Sequence, residues 1–142
     1  MLSKYRARLQ LLKCLIFCHV IMISMAHANT HHPQDFLDKI KDSKDAGKSV
    51  YEHFCSVCHN PKPQILLGAP RSQVHEDWVM RTKTGLNALI KNTHEGFNAM
   101  PPRGGCFECS DEQLFAALLY MLPSEEKKQL SNQIGAHKKI IK

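Results

Sequence analysis

The sequence predicts an all-α fold with long connecting loops, on the basis of three observations. Apolar residues recur at helical spacing in several short segments, most clearly at Leu114, Leu118 and Met121. No segment alternates apolar and polar residues as a half-buried strand does. Two loops, over 60–73 and 97–105, are rich in proline and glycine. Such loops are unusual in a small domain unless they wrap something, so we predict about 4–5 short helices around a bound group.

The first helices are predicted in chain order from their spacing and their end signals. The first covers about 45–54, where Val50 and Phe54 lie one turn apart on the same face. Two shorter helices are predicted over 76–82 and 86–94. A glycine follows each of them within a few residues, and glycine commonly ends a helix.

The last predicted core helix has the clearest start and end. Ser110 is followed three residues later by Gln113, which is the spacing of a capping box, and Pro123 prevents the helix from continuing. Polar extensions flank the helical region on both sides, over residues 29–44 and over the lysine-rich residues 124–142. The second extension is predicted to be either a surface helix or a flexible tail.

Residues 1–28 have the composition of a cleavable signal peptide. Basic residues precede a mostly apolar segment over 14–25, which is short for a membrane-spanning helix of about 20 residues. Ala26-His27-Ala28 matches the A-x-A pattern that precedes a cleavage site. We therefore predict export to the periplasm, with an uncleaved membrane anchor as the alternative.

The charge balance of the exported chain is close to neutral. Cleavage after Ala28 would leave 114 of the 142 residues, which is the size of one small domain. Four of the 19 Lys and Arg residues lie in the removed segment, so the remainder has a net charge near +2 against its 13 Asp and Glu. Positive and negative residues are interleaved, which argues against a nucleic-acid-binding protein.

The most informative motif is Cys55-Ser56-Val57-Cys58-His59, which has the C-x-x-C-H pattern of covalent haem attachment. Two thiols three residues apart can each add to one vinyl group of the same porphyrin. The adjacent imidazole can then bind the iron as its proximal ligand. We therefore predict one haem c that is attached through Cys55 and Cys58, with His59 as an iron ligand.

A second C-x-x-C pair, Cys106 and Cys109, leaves several alternatives open. In an oxidising compartment, a pair that is not used for haem is free to form a disulfide. Together with Cys55 and Cys58, however, the pair also matches a C-x-x-C…C-x-x-C zinc pattern. A reactive dithiol is a third alternative for this pair. For Cys55 and Cys58 a thioredoxin-like thiol pair is an alternative, but it requires a βαβ context that the sequence does not predict.

Met100 is the candidate for the second iron ligand. It lies 41 residues after the histidine of the haem motif, in a proline-rich loop rather than on a helix face. Pro101 favours an extended backbone at Met100, so the loop can aim the thioether. Ligation by Met and His raises the reduction potential of a haem. His53, His75 and His94 are rival ligands that would give a bis-histidine haem.

A backbone acceptor for the proximal histidine is predicted in the loop after the haem motif. A metal-bound histidine usually donates its other ring N–H to an acceptor outside the metal's own ligands. The carbonyl of Pro70, in Gly68-Ala69-Pro70, is the preferred candidate for His59. An ordinary proline turn with no role at the site is the alternative.

These motifs together resemble those of the class I c-type cytochromes, and within them those of the cytochrome c5 group of small exported monohaem proteins. The resemblance covers about 47–121, most of the exported chain. It rests on Gly47-Lys48-Ser49-Val50-Tyr51, Cys55-Ser56-Val57-Cys58-His59, Gly68-Ala69-Pro70, Ala99-Met100-Pro101-Pro102-Arg103-Gly104-Gly105-Cys106 and Cys109-Ser110-Asp111-Glu112.

The resemblance implies a class I cytochrome c fold over 45–123, wrapped around one covalent haem. It also implies a disulfide between Cys106 and Cys109. In this fold the first and last helices cross at close range, so Gly47 is expected at the crossing, with Tyr120 packed against it and Tyr51 nearby. The two polar extensions depart from the family pattern, and the resemblance implies no role for them.

The resemblance further implies that the protein is an electron carrier rather than an enzyme. Its expected partners are membrane respiratory complexes or other redox proteins, which it would contact transiently and over small interfaces. It is expected to be a monomer or a weak dimer. A haem enzyme or sensor with a labile Met100 ligand is the alternative function, and a structural zinc domain without haem is a further one.

Overall fold

Helices account for most of the chain that the structure describes. A computed structural model describes residues 33–141, together with Gln10 and Lys13. A π-helical turn (Tyr51–Cys55) joins the second helix to the third, a 3₁₀ turn covers Pro102–Gly105, and no strand occurs in this part of the chain. The predicted all-α fold is confirmed. The helices are α1 (Pro33–Ile40), α2 (Ala46–Val50), α3 (Ser56–His59), α4 (His75–Thr82), α5 (Leu86–Glu95), α6 (Asp111–Met121), α7 (Ser124–Gln129) and α8 (Ser131–Ile140).

The predicted helix over about 45–54 is present, and its second half is a π-helical turn rather than α-helix. The N–H of Ser56 donates to the carbonyl of Tyr51, five residues back instead of four. Because residues four apart share a face in either kind of turn, the spacing of Val50 and Phe54 does not reveal the difference. The wider turn directly precedes α3 and therefore sets the direction in which the haem motif leaves the helix.

The helices α2 and α6 cross at close range, with a glycine at the contact. A Cβ atom on Gly47 would lie 2.3 Å from the carbonyl oxygen of Ala116, so a larger residue would force the helices apart. The rings of Tyr51 and Tyr120 pack against each other, with 5.0 Å between their centroids. At the crossing itself, Gly47 lies against the backbone of Ala116 on α6.

The start of α6 confirms the predicted capping box. The hydroxyl of Ser110 accepts from the N–H of Gln113 at 3.2 Å, and the side chain of Gln113 accepts from the N–H of Ser110 at 2.8 Å. The apolar stripe of the helix, Leu114, Leu118 and Met121, is buried. This helix consequently forms one wall of the core.

The described parts of both extensions, 33–44 and 124–141, fold onto the domain. Leu37 of α1 and Leu130, between α7 and α8, are each 1% exposed. The side chain of Gln113 donates to the carbonyl of Leu37 at 3.0 Å. With α2 to α3 counted as one, the described chain has about seven helices. Four of them lie within 45–123, where about 4–5 helices around the haem were predicted. The additional helices form because the extensions carry apolar residues that bury against the core.

The predicted signal peptide, residues 1–28, lies outside the described residues apart from Gln10 and Lys13. Its cleavage therefore stays a prediction. None of the helices in the described part of the chain combines the length and the hydrophobicity that a bilayer crossing requires.

Candidate functional site

A mainly apolar cavity lies among α3, α5, α6 and the two long loops. Its volume is about 360 Å³, which falls within the range of ligand and cofactor pockets. The structure brings together at its wall all five residues that were predicted to bind haem: Cys55, Cys58, His59, Pro70 and Met100. Apolar side chains supply much of the remaining lining, among them Phe54, Trp78, Leu89, Leu114, Leu118 and Met121.

The two thiols of the haem motif are free and lie at the cavity wall. Cys55 is the last residue of the π-helical turn, and Cys58 lies in α3. Burial, and then the proximity of Cys58, raises the pKa of Cys55 to about 11. Burial therefore keeps this thiol protonated at neutral pH, so the protein does not by itself activate it as a nucleophile or as a metal ligand.

His59 is buried and held by contacts with the following loop. Its Nδ1 lies 2.7 Å from the carbonyl oxygen of Pro70, so Nδ1–H is the donor and Nε2 is unprotonated. Burial lowers the pKa of His59, and the hydrogen bond to Pro70 partly opposes this change. The carbonyl of His59 accepts from the N–H of Ser72 at 2.7 Å and from the hydroxyl of Tyr51 at 3.3 Å. The imidazole is therefore neutral and fixed in orientation, as an iron ligand must be.

The loop that carries Pro70 is secured by residues that no sequence motif predicts. Arg71 forms a two-pronged ion pair with Asp77, with N–O distances of 2.8 and 2.9 Å. The Arg71 guanidinium holds the pKa of Asp77 at about 2. The indole N–H of Trp78 donates to the carbonyl of Arg71 at 2.8 Å. Through these contacts α4 fixes the backbone that accepts from His59.

Met100 is presented by a tight turn at the end of α5. Phe97 and Met100 exchange two backbone hydrogen bonds, of 3.1 and 2.9 Å. Asn98, within the turn, has a φ of 53°. Gly96, which caps α5, has a φ of 85°, and a Cβ atom there would lie 2.6 Å from the carbonyl oxygen of Met100. Glycine thus allows α5 to end directly against the backbone of Met100.

The segment after Met100 is tied to the start of α6. Cys106 and Cys109 are buried and joined by a disulfide, with their Cα atoms 5.4 Å apart. Arg103 donates to the carbonyl of Cys109 and forms an ion pair with Asp111 at 3.1 Å. Its Nε is buried and has no partner among the described residues, although Arg103 lines the cavity. One guanidinium donor is therefore left for an acidic group bound in the cavity.

The rival histidines lie away from the cavity, since neither His53, His75 nor His94 belongs to its lining. The Nδ1 of His75 lies 2.6 Å from Glu126, and that of His94 lies 3.9 Å from Asp111. Met100 is consequently the one member of the predicted candidates for a second iron ligand that reaches the cavity wall.

The structure contradicts the zinc alternative. Four thiolates would have to bind one metal, but Cys106 and Cys109 are bonded to each other. The described residues also contain no group of three or more His, Cys, Asp or Glu side chains that could hold a metal ion. The pair Cys55 and Cys58 with the adjacent His59 is left to a haem.

Comparison with known proteins leads to the same family. The family model described as cytochrome c oxidase, cbb3-type, subunit III matches residues 42–121. A cytochrome c5 from Azotobacter vinelandii is 39% identical over 75 residues, which cover 51% of this chain and 87% of the relative. A cytochrome c5 from Ectopseudomonas mendocina is 33% identical over 81 residues, with 56% and 88% covered. A cytochrome c-555 from Chlorobaculum tepidum is 31% identical over 81 residues, with 54% and 72% covered.

The family match and the site geometry concern the same part of the molecule. Residues 42–121 include the C-x-x-C-H motif, Pro70 and Met100, together with every helix that lines the cavity. A cavity that is largely apolar, next to two thiols and a neutral imidazole, fits a porphyrin. The chain therefore belongs to the class I c-type cytochromes, where it is similar to cytochrome c5, and this membership implies a covalently bound c-type haem.

Proposed function

We propose that this protein is a periplasmic one-electron carrier with a single haem c, ligated by His59 and Met100. The observation that carries the proposal is the hydrogen bond from Nδ1 of His59 to Pro70, at 2.7 Å. This bond leaves Nε2 as the ring nitrogen available to iron. The presence of His59 and Met100 in the lining of one cavity supports ligation by both.

The haem, when bound, supplies an iron that changes between its ferrous and ferric states. Cys55 and Cys58 are the residues that would attach it, and the free donor of Arg103 suits one of its propionates. The thioether of Met100 favours the ferrous state, and the largely apolar lining lowers the local dielectric constant, so both would raise the reduction potential.

Ligation of the iron by both His59 and Met100 would favour a carrier over an enzyme. An iron held in this way would have no site for a substrate, a peroxide or a gas. The turn from Phe97 to Met100, held by two backbone hydrogen bonds, supports a stable second ligand. A haem enzyme or sensor would require Met100 to leave the iron readily, so ligand access is the property that separates the two functions.

The surface beside Cys58 supports transient docking to redox partners. Four apolar residues next to the cavity are exposed: Val57 at 38%, Ile65 at 46%, Leu66 at 84% and Leu67 at 54%. Electron exchange requires only brief encounters with small interfaces. We propose that membrane respiratory complexes or other redox proteins contact this apolar surface, while the protein itself is a monomer or a weak dimer.

A periplasmic location is consistent with two features of the chain. The sequence over 1–28 has the charge, length and A-x-A pattern of a signal peptide. The disulfide between Cys106 and Cys109 suits an oxidising compartment. Extraction of the periplasmic fraction, followed by mass measurement of the holoprotein, tests both the location and cleavage after Ala28.

Carbon monoxide binding to the reduced protein tests the proposed function. A carrier is expected to accept one electron per chain and to bind carbon monoxide slowly and incompletely, because Met100 occupies the sixth position. Met100→Ala serves as the positive control and is expected to bind the gas at once. Rapid and complete binding by the wild-type protein would support a haem enzyme or sensor instead.

A further inference from the structure

The C-terminal segment Ser124–Ile140 has no role in the function described so far. It lies beyond residues 42–121, which the family model matches. Even so, it forms the two helices α7 and α8, and it buries Leu130 and Glu126 to 1% exposure each. Its packing is therefore specific. It contacts α4 and α5, two helices that line the proposed haem pocket.

One contact joins α8 to the start of α5. The side-chain oxygen of Gln133 accepts from the backbone N–H of Leu86 at 2.8 Å. Gly85, which precedes α5, has no side chain to supply an N-cap. The first N–H groups of a helix have no partner within the helix and need one from elsewhere. Gln133 thus supplies, from another helix, a cap that α5 cannot make for itself.

The capped helix leads directly to the proposed iron ligand. Leu89 and Thr93 of α5 line the cavity. The helix ends at Gly96, whose position for a Cβ atom is only 2.6 Å from the carbonyl oxygen of Met100. The backbone of Met100 consequently rests against the end of α5, and a shift or fraying of this helix would loosen the Met100 turn.

A second contact joins α7 to the start of α4. The buried carboxylate of Glu126 lies 2.6 Å from the Nδ1 of His75, the first residue of α4. The same helix carries Asp77 and Trp78, which hold the loop of Pro70 through Arg71. The C-terminal segment therefore contacts the helix that supports the His59 side of the pocket and the helix that supports its Met100 side.

We propose that Ser124–Ile140 is a clasp that joins α4 to α5, and that Gln133 is a positioning residue that keeps Met100 on the iron. This inference rests on the proposed His59 and Met100 ligation. The clasp stabilises the arrangement in which the Met100 turn is closed, and weakening it increases the fraction of molecules in which the turn is open.

Binding of imidazole to the ferric holoprotein measures this open fraction. Imidazole can reach the iron only after Met100 leaves, so its apparent affinity rises in proportion to the open population. Gln133→Ala removes the cap of α5, and loss of a cap shifts such equilibria by a few-fold. We therefore expect imidazole to bind about two- to fivefold more tightly to this variant.

Three further variants separate positioning from a general loss of stability. Gln133→Glu keeps an acceptor oxygen and is expected to restore the wild-type affinity, since a negative charge also suits the start of a helix. Asn132→Ala, at an exposed neighbouring position, is expected to change nothing. Leu37→Ala, a buried position on α1, is expected to lower global stability without a comparable gain in imidazole affinity.

The result that overturns the clasp is an unchanged imidazole affinity in Gln133→Ala, or an equal gain in Leu37→Ala. Sulfur–iron ligation gives the ferric protein a weak far-red absorption band. Neither result would affect this band in the wild-type protein, so the proposed function would stand. If the wild-type protein itself lacked that band, the proposed ligation would fail first and the clasp with it.

Discussion

The Nδ1 atom of His59 and the carbonyl oxygen of Pro70 lie 2.7 Å apart, although the two residues are separated by a loop. The bond fixes both the tautomer and the rotation of the imidazole. The loop is itself held from two sides, because Ser72 donates to the carbonyl of His59 and Trp78 donates to that of Arg71. The protein's own contacts thus fix the orientation of the imidazole that we propose as the proximal ligand.

Replacement of Met100 by alanine tests the second iron ligand. Met100→Ala is expected to leave the haem covalently attached, because the thiols are unchanged, and to open the sixth position. Loss of the thioether should move the reduction potential towards the lower part of the roughly 0.8 V range that axial ligands span. Potentiometric titration of the variant and of Met80→Ala, an exposed control at 63%, measures the change. Equal potentials in both would exclude Met100 as a ligand.

Gly96 tests the connection between α5 and the Met100 turn. Gly96→Ala places a Cβ atom 2.6 Å from the carbonyl of Met100 and imposes a φ of 85° on a residue that disfavours it. We expect a loss of about 1–3 kcal/mol in the free energy of unfolding, with partial release of Met100. Gly135→Ala is the matched control, since it meets open space in α8 and should be neutral or stabilising. If Gly96→Ala were as stable as the wild-type protein, the close contact between Gly96 and the carbonyl of Met100 would be contradicted.

The ion pair between Arg71 and Asp77 predicts a specific dependence of stability on acidity. Arg71 depresses the pKa of Asp77 from 3.8 to about 2 in the folded protein. The stabilisation is therefore complete above pH 3.8 and is lost as the pH falls through about 2. Since Arg71 is 44% exposed, the effect should be about 1 kcal/mol or less.

Denaturant unfolding of Asp77→Asn at several pH values measures this contribution. The difference in unfolding free energy between wild type and variant should be largest near neutrality and should shrink as the pH falls towards 2. Asp42→Asn, at an exposed position between α1 and α2, serves as the control. Parallel pH curves for wild type and Asp77→Asn down to the lowest pH would show that the pair does not stabilise the fold.

The disulfide is expected to position the Met100 loop more than it stabilises the chain. Because it closes a very short loop, replacing both Cys106 and Cys109 by serine should cost only about 2 kcal/mol or less in unfolding free energy. The haem should remain attached, and the sulfur–iron band of the ferric protein should weaken. Haem content and this band are measured on the same sample. A double variant without haem would mean that the pair takes part in attachment.

The residues that meet at the cavity could be named from the sequence because they belong to short local patterns. The C-x-x-C-H motif specifies its own function, and the capping box from Ser110 to Gln113 needs only residues three apart. Met100 could be named because Pro101 restricts its backbone, and Pro70 because a metal-bound histidine needs an acceptor for its second ring nitrogen. Both residues line the cavity, as do Cys55, Cys58 and His59.

The supporting contacts could not be predicted because each depends on residues that meet only in the folded chain. The contact of Gly47 with Ala116 and the cap of Leu86 by Gln133 join segments far apart in sequence. The spacing of apolar residues could not reveal the π-helical turn, since a four-residue repeat fits both α-helical and π-helical turns. The packing of 124–142 could not be predicted either, because the segment is mostly polar and only a few apolar residues, such as Leu130, bury against the core.

The most direct test of the central claim is an optical spectrum of the purified holoprotein in its oxidised and reduced states. We predict sharp reduced bands of a c-type haem and a weak far-red band of sulfur–iron ligation in the ferric state. The band should disappear in Met100→Ala and persist in Met80→Ala. A c-type spectrum without the far-red band in the wild-type protein would contradict His59 and Met100 ligation, and would indicate a bis-histidine haem or an open-site enzyme or sensor instead.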